Sequence, residues 1–263
     1  MEINLSGRDL ILLLVVLSMS FFILGFFIDQ QETHVLEQVT TDRLLPIYRV
    51  DRADKKIAIT IDGMWGAEYT PEILNILEEN NVNITFFFGG NWLEEYPEYV
   101  KEIAAKGHEV GNHSYSHPHM NNLSREEIIK ELKQTEKLIK DLTGRKWNLF
   151  RPPFGEYNNL LIKTCNELDY YPIQWSIDSL DWKDVSVDFI YQRVLDNVGP
   201  GEIILMHNNA ENTPKALKRL IPKLKEQGYE IVPLSEMIYK ENYYIEQHSG
   251  TQKARKRNVA DEL

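Results

Sequence analysis

The stretch Lys56-Ile-Ala-Ile-Thr-Ile-Asp-Gly-Met-Trp-Gly66 is the first clear β-rich run of the chain. Its apolar first half is typical of a buried strand. Asp62 ends the apolar part, so the strand delivers a carboxylate to the start of a loop. A carboxylate in this place is either a metal ligand or general base, or an aspartate that caps the next turn, as Asp-Gly pairs often do.

Outward from this stretch, short β-rich runs alternate with helical patterns. The candidate strands are Ile57–Ile61, Ile84–Phe88, Glu109–Asn112, Leu149–Arg151, Tyr171–Ile177, Ile203–Met206 and Glu230–Val232. Thr70-Pro71 and Thr213-Pro214 each predict a helix N-cap followed by proline at the first helical position. Ser124 to Glu127 predicts a capping box, and Gly144 ends the helix that it opens. Repeated strand–helix alternation predicts an α/β fold with parallel strands, in a barrel or an open sheet.

Composition limits the chain to one catalytic domain of roughly 200 residues plus extensions. The 263 residues are 43% hydrophobic, which is enough for a sizeable core. A net charge of −11 argues against nucleic acid as a partner. The single cysteine, Cys165, excludes an internal disulfide. It lies in an apolar helical pattern, so we predict a small core residue rather than a nucleophile.

The N-terminal 28 residues predict a membrane anchor. Leu10 to Ile28 holds nineteen residues without a charge, and as a helix it would span about 28 Å, close to the roughly 30 Å core of a bilayer. A cleaved signal peptide is the rival interpretation, but the only near match to a cleavage site, Ser18-Met19-Ser20, lies inside the apolar run. With Arg8 before the run, the positive-inside rule places residues 1–9 in the cytoplasm and the domain outside the cell membrane.

The remaining boundaries follow from composition. Residues 29–54 are polar and predict a stalk. Residues 55–240 carry the strand–helix alternation and predict the catalytic domain. Residues 241–263 lose that pattern and predict a disordered polar tail. The pattern carries no prediction of oligomeric state.

Seven ionisable side chains share one place, at or just after the carboxyl end of a predicted strand. In chain order they are Asp62, His113, His117, Arg151, Asp178, Asp181 and His207. In barrels and open α/β sheets this edge is where sites are built. Random polar residues would not sort this way, so the sequence predicts that these side chains form one site.

Taken singly, each of these residues has a plain structural alternative. His113 and His117, four apart, can direct two ring nitrogens at one metal, or they are surface loop residues. Arg151 can orient a carboxylate bidentately, or it forms a surface ion pair. His207 is a general acid or base, or a satisfied core histidine. Trp182 is a platform for a sugar ring, or it fills the core.

Five segments in this order resemble the polysaccharide deacetylase family, also called the NodB homology or carbohydrate esterase 4 group. The matching segments are Thr60–Met64, His113–Pro118, Arg151–Phe154, Asp178–Trp182 and Leu205–His207. The resemblance covers roughly Lys55 to Met237. It implies a distorted (β/α)7 barrel and metal-dependent removal of acetyl groups from the N-acetylated amino sugars of a cell-wall glycan such as peptidoglycan.

The resemblance also implies a metal-binding half of the site. His113 and His117 would bind a divalent metal, usually zinc, with cobalt or manganese as alternatives. Asp62 would be the general base that deprotonates the attacking water. Arg151 would orient Asp62.

The other half of the implied site handles the leaving group and the acetyl group. His207 would be the general acid that protonates the leaving amine, and Asp181 would tune it. The backbone N–H of Phe154 would help to hold the oxyanion. Trp182 and Leu205 would line the acetyl pocket.

Gly63 departs from the family's pattern, because a second aspartate, the third metal ligand, normally stands there. The segment Asp-Gly-Met-Trp-Gly66 resembles a membrane-anchored subgroup found in spore-forming bacteria, with Asp-x-x-Trp-Gly at this place. Three interpretations stay open. Asp62 serves as a metal ligand instead of a base, water completes a weak two-histidine site, or the protein is a catalytically weak or inactive glycan-binding protein.

Overall fold

The computed structural model describes Arg43 to Arg255, together with the isolated positions Gly7, Met19, Ser20 and Ile23. The predicted N-terminal segment 1–9 and membrane anchor 10–28 therefore lie outside the described residues, apart from those four positions. In the part of the chain that the structure describes, no helix is long and apolar enough to cross a membrane.

The strands form two sheets. In chain order they are β1 (Arg49–Val50), β2 (Lys56–Gly63), β3 (Thr85–Phe88), β4 (Glu109–Asn112), β5 (Leu149–Phe150), β6 (Tyr171–Pro172), β7 (Ile177–Asp178), β8 (Ile203–His207), β9 (Glu230–Ile231), β10 (Tyr243–Ile245) and β11 (Thr251–Ala254). The main sheet has the order β6-β5-β4-β3-β2-β8-β7, and β9 pairs with the start of β2. Every pairing in it is parallel. The predicted fold is confirmed as a distorted (β/α)7 half-barrel.

Helices connect most of these strands. They are α1 (Thr70–Glu79), α2 (Gly90–Glu95), α3 (Pro97–Ala105), α4 (Arg125–Thr143), α5 (Asn159–Glu167), α6 (Val187–Asn197), α7 (Thr213–Glu226) and α8 (Leu234–Met237). The predicted capping box is confirmed at the start of α4, between Ser124 and Glu127, and Gly144 ends that helix with a φ of 69°. The predicted N-caps Thr70 and Thr213 are wrong by one residue, because each is the first residue of its helix.

Side-chain alternation along β2 separates the core from the site. Ile57, Ile59 and Ile61 pack into the large cluster between the sheet and the helices. Ala58 joins a different cluster on the other face of the sheet. Because successive side chains of a strand point to opposite faces, Thr60 and Asp62 follow Ala58 onto that second face. Cys165 is buried in a third apolar cluster, in agreement with its prediction as a core residue.

The predicted strand Tyr171–Ile177 is two strands, which corrects the sequence interpretation. β6 pairs with β5 at one edge of the sheet, and β7 pairs with β8 at the other. Between β6 and β7 the chain hydrogen-bonds to Ile47. The N–H of Ile47 donates to the carbonyl of Pro172 (2.8 Å), and its carbonyl accepts from the N–H of Gln174 (2.7 Å). One apolar run therefore serves both edges, a division that hydropathy alone does not mark.

The predicted stalk and tail are also wrong where the structure describes them. Residues 44–54 include buried Ile47 and Val50, and residues 241–255 contain β10 and β11. β11 pairs parallel with β1 and antiparallel with β10. Backbone hydrogen bonds hold this small sheet, and they leave no hydropathy signal. The domain thus extends from Leu44 to at least Arg255, beyond the predicted bounds of 55–240.

Candidate active site

A cleft of about 530 Å³ opens at the carboxyl edge of the main sheet. Among the residues lining it are Asp62, Trp65, His113, His117, Phe154, Trp175, Asp178, Trp182, Leu205 and His207. Arg151 and Asp181 are buried and hydrogen-bond to cleft residues. The structure therefore brings all the sequence-predicted site residues to one place.

Asp62 is held by a fully buried arginine. The Arg151 Nη1 donates to Asp62 Oδ1 at 2.7 Å and to Thr60 Oγ1 at 2.8 Å, and its Nη2 donates to the Gln174 carbonyl at 3.0 Å. The guanidinium also lies 4.3 Å from the ring centre of Phe87. Burial lowers the pKa of Arg151, while the charge of Asp62 opposes that change. This network orients Asp62 and leaves its Oδ2 for other partners.

His113 and His117 direct their rings at each other. Nδ1–H of His113 donates to the carbonyl of Arg151 (2.8 Å), which fixes its tautomer and leaves a lone pair on Nε2. The Nε2 atoms of the two rings lie 3.2 Å apart. Burial lowers the pKa of His113, and it lowers that of His117 to about 4. Both imidazoles are therefore neutral near pH 7, which is the form that binds metals.

The two imidazoles fit a divalent metal as nitrogen ligands, but the set is small. Asp62 Oδ2 lies 3.8 Å from His113 Nε2 and adds one carboxylate oxygen nearby. His117 Nδ1 is buried without a partner, whereas a metal-ligating histidine usually donates its second ring N–H. No group of three or more His, Cys, Asp or Glu arranged to hold a metal occurs among the residues that the structure describes.

Packing excludes a side chain at Gly63, where the family's third ligand would stand. A Cβ there would lie 2.5 Å from a ring carbon of Phe88 and 3.0 Å from Asn208 Oδ1. Phe88 is buried and stacks on Trp92 with ring centres 3.8 Å apart, so it has little freedom to retreat. The glycine is thus built into the packing at the ends of β2 and β3.

His207 and Asp181 form a second charged pair. Nδ1–H of His207 donates to Asp181 Oδ1 at 2.8 Å, and its backbone N–H donates to Oδ2 at 2.7 Å. Thr213 Oγ1 donates to the same Oδ2 at 2.5 Å. Burial lowers the pKa of His207, but the hydrogen bond and charge of Asp181 outweigh it and raise the pKa above its usual value. For Asp181, burial acts to raise the pKa, but the hydrogen bonds that the carboxylate accepts outweigh burial and lower the pKa below its usual value.

Three aromatic side chains are exposed at the cleft. Trp65, Phe154 and Trp182 are 61%, 54% and 52% exposed. This exposure argues against Trp182 as a core filler. His117 makes edge contacts with Trp65 (5.0 Å) and Phe154 (4.5 Å). Leu205, by contrast, is almost fully buried in the cleft wall.

Several residues that support the site carry no clear signal in the sequence pattern. Thr60 lies two residues before Asp62 on the same face of β2, so strand alternation could have revealed it. The pattern predicts Thr213 as a helix cap, but its hydroxyl donates a hydrogen bond to Asp181 instead. Gln174 contributes a backbone carbonyl, which cannot be predicted from a pattern of side chains.

The fold and the site define an α/β half-barrel with a carboxylate, a histidine and an imidazole pair at the carboxyl edge of its sheet. Residues 49–173 match the polysaccharide deacetylase family. A peptidoglycan-N-acetylglucosamine deacetylase of Bacillus cereus is 38% identical over 187 residues, which span 70% of this chain and 68% of that protein. The chain belongs to the polysaccharide deacetylase family, and several of its relatives are named peptidoglycan deacetylases, which are hydrolases.

Crystal structures of two similar proteins bear on the site. The Bc1960 peptidoglycan N-acetylglucosamine deacetylase is 36% identical, with a TM-score of 0.71 over 73% of this chain and 91% of that one. BA3943 of Bacillus anthracis, a carbohydrate esterase 4 family pseudoenzyme, is 40% identical, with a TM-score of 0.71 over 73% of this chain and 68% of that one. A mutant of BA3943 with restored enzymatic activity matches equally well in TM-score.

Proposed function

We propose that this protein removes acetyl groups from the N-acetylated amino sugars of a cell-wall glycan, with peptidoglycan as the first candidate substrate. One observation carries the proposal: Asp62 and His207 are register partners on β2 and β8, and each has its own charged partner. A binding protein has no use for a carboxylate and an imidazole that are each paired with a buried, oppositely charged side chain. The named deacetylase relatives support the same substrate class.

Amide hydrolysis needs a general base and a general acid, and Asp62 and His207 fit these two roles. Asp62, oriented by Arg151, accepts a proton from the water that attacks the acetyl carbon. His207, whose pKa Asp181 raises, donates a proton to the amide nitrogen as the carbon–nitrogen bond breaks, so acetate and a free amine leave. The backbone N–H of Phe154 would help to stabilise the oxyanion. Trp182 and Leu205 would hold the acetyl group.

His113 and His117 would hold a divalent metal, with zinc as the first candidate and cobalt or manganese as alternatives. Such an ion, when bound, polarises the amide carbonyl and lowers the pKa of water. Asp62 Oδ2 lies 3.8 Å from His113 Nε2, so it is near enough to be a further ligand of the same ion. Metal binding should therefore be weak. Two imidazole nitrogens are the only dedicated ligands, and the Asp62 carboxylate must also serve as the general base, whereas the family's usual site has three ligand residues.

We further propose an extracytoplasmic location. The apolar run Leu10–Ile28 would anchor the chain in the cell membrane, with the catalytic domain on the outer side, where the glycan lies. The segment Asp62 to Gly66 supports membership of the membrane-anchored subgroup of spore-forming bacteria. A role in sporulation is part of this proposal.

An inactive or weakly active glycan-binding protein is the second candidate. Gly63 and the packing of Phe88 against it favour this reading, because they remove the family's third ligand. The likeness to a pseudoenzyme adds to it. Exposed Trp65 and Trp182 would serve glycan binding with or without catalysis.

Acetate release decides between the two candidates. The purified protein is incubated with N-acetylglucosamine oligomers and with peptidoglycan, with added zinc, cobalt or manganese, and acetate is measured. We expect release that falls roughly 10²- to 10⁴-fold in His207→Ala and Asp62→Asn, since each removes one proton carrier. The exposed His248 provides a matched control, because His248→Ala should leave the rate unchanged. Glycan binding without acetate or bound metal would support the binding protein instead.

A further inference from the structure

The loop that carries the second imidazole has an unfavourable backbone conformation. Ser114 has a φ of 64° and His117 has a φ of 58°. Both angles lie in the left-handed region, which residues with side chains adopt rarely. Neither residue is a glycine, so surrounding contacts must hold the loop in this shape.

Glu131 of helix α4 supplies three of those contacts. Its Oε2 accepts from the backbone N–H groups of Tyr115 and Ser116, both at 2.8 Å. Its Oε1 accepts from the hydroxyl of Ser116, also at 2.8 Å. These two residues lie between the left-handed positions, so one carboxylate holds the middle of the loop.

Shorter-range contacts hold the two ends of the loop. The N–H of Ser114 donates to Asn112 Oδ1 at 2.9 Å, and the N–H of His117 donates to Ser114 Oγ at 3.1 Å. Asn112 Nδ2 in turn donates to the carbonyl of Leu132, the neighbour of Glu131, at 2.8 Å. One turn of α4 therefore fixes both the end of β4 and the loop that follows it.

We propose that Glu131 is a positioning residue for the imidazole pair. Its carboxylate holds the Tyr115–Ser116 segment, and that segment places His117 with its Nε2 3.2 Å from that of His113. Glu131 thereby sets the affinity of the pair for a divalent metal. The inference rests on the proposed function for the identity of the ligand, and it adds a residue from outside the five family segments.

Cobalt titration of purified protein tests this role, with visible absorption as the readout. Glu131→Ala should weaken cobalt binding about 10- to 100-fold, the usual effect of losing a residue that supports a ligand. Glu131→Gln keeps one acceptor oxygen for the two backbone N–H groups, so it should lose less. Glu126 lies exposed on the same helix, and Glu126→Ala provides the matched control with unchanged affinity.

Metal-free measurements separate positioning from general stability. Amide hydrogen exchange at Tyr115 and Ser116 should accelerate in Glu131→Ala and less so in Glu131→Gln, while the melting temperatures give the global effect. A lower melting temperature with wild-type cobalt affinity would overturn the proposal, and so would a wild-type protein that binds no cobalt. Wild-type protein that binds cobalt but releases no acetate would contradict the proposed function, while the cobalt comparison still decides the role of Glu131.

Discussion

At the scale of single residues, the two proton carriers have different surroundings. Asp62 is paired with the buried guanidinium of Arg151, and His207 is paired with the carboxylate of Asp181. The first pairing fixes the orientation of the Asp62 carboxylate. The second favours an imidazolium ready to donate a proton, because Asp181 raises the pKa of His207. Opposite pairings of this kind let two groups on neighbouring strands act as base and acid at one pH.

Asp181→Asn should therefore shift the pH dependence of acetate release. A general acid works only while protonated, so the rate falls as pH rises through the pKa of His207. Losing the Asp181 charge lowers that pKa, and the alkaline limb of the kcat profile should move to lower pH. Asp178→Asn provides the control, since Asp178 acts on His207 through its charge without a hydrogen bond to the ring and should move the limb less. An alkaline limb that stays in place in Asp181→Asn would contradict the assignment of His207 as the general acid.

The Arg151–Asp62 pair predicts strong coupling in stability. Arg151→Met leaves the buried Asp62 carboxylate without its partner, so the free energy of unfolding should fall by about 3–5 kcal/mol. The double variant with Asp62→Asn should lose clearly less than the sum of the single losses. Urea unfolding measures all three variants. Arg219→Met breaks an exposed pair with Asp188 and should cost no more than about 1 kcal/mol. Additive losses at Arg151 and Asp62 would contradict the coupling.

At the scale of elements, the ends of β2 and β3 explain the missing aspartate. Gly63 and Phe88 are register partners on these strands, and the Phe88 ring fills the space beside the glycine. Replacing the glycine alone would force two buried groups into one volume. A restored metal ligand therefore needs a change on the neighbouring strand.

Gly63→Asp should consequently destabilise the protein by about 1–3 kcal/mol and give no gain in cobalt affinity. Combined with Phe88→Leu, it should recover part of this loss, with a coupling of about 0.5–3 kcal/mol in urea unfolding. Phe150 is buried in a different apolar cluster and does not contact Gly63, so Phe150→Leu provides the control without coupling. A single Gly63→Asp variant as stable as wild type would show that the packing does not exclude the side chain.

Sequence patterns predicted the elements best where hydropathy and local chemistry agreed. The central strands and the capping box of α4 follow from such signals, and the carboxyl-edge placement of Asp62 and His207 follows from the strands. The missed features depend on backbone groups and long-range pairing. Neither the split of Tyr171–Ile177 between two sheet edges nor the contacts of Glu131 with a distant loop can be recognised from local sequence.

At the scale of the whole domain, the small second sheet joins segments from the two ends of the described chain. β1 precedes the main sheet, and β11 follows the last helix, yet they pair in parallel. The N–H of Asp51 donates to the carbonyl of Gln252 at 2.9 Å. The segment around β1 also hydrogen-bonds to Pro172 at the β6 edge of the main sheet and to Gly201, just before β8, so it belongs to the domain rather than to a stalk.

Gln252 provides the test of this organisation. Its side chain is fully buried; Nε2 donates to the carbonyl of Tyr239 at 2.7 Å, and Oε1 accepts the Tyr239 N–H at 2.8 Å. Gln252→Ala leaves both backbone groups without partners, so the free energy of unfolding should fall by about 1–3 kcal/mol in urea. Tyr244→Ala, on an exposed position of β10, should change it by no more than about 0.5 kcal/mol. Equal stability of the two variants would mean that β10 and β11 unfold apart from the barrel, because a buried glutamine inside one cooperative unit must lower the stability of the whole when it is lost.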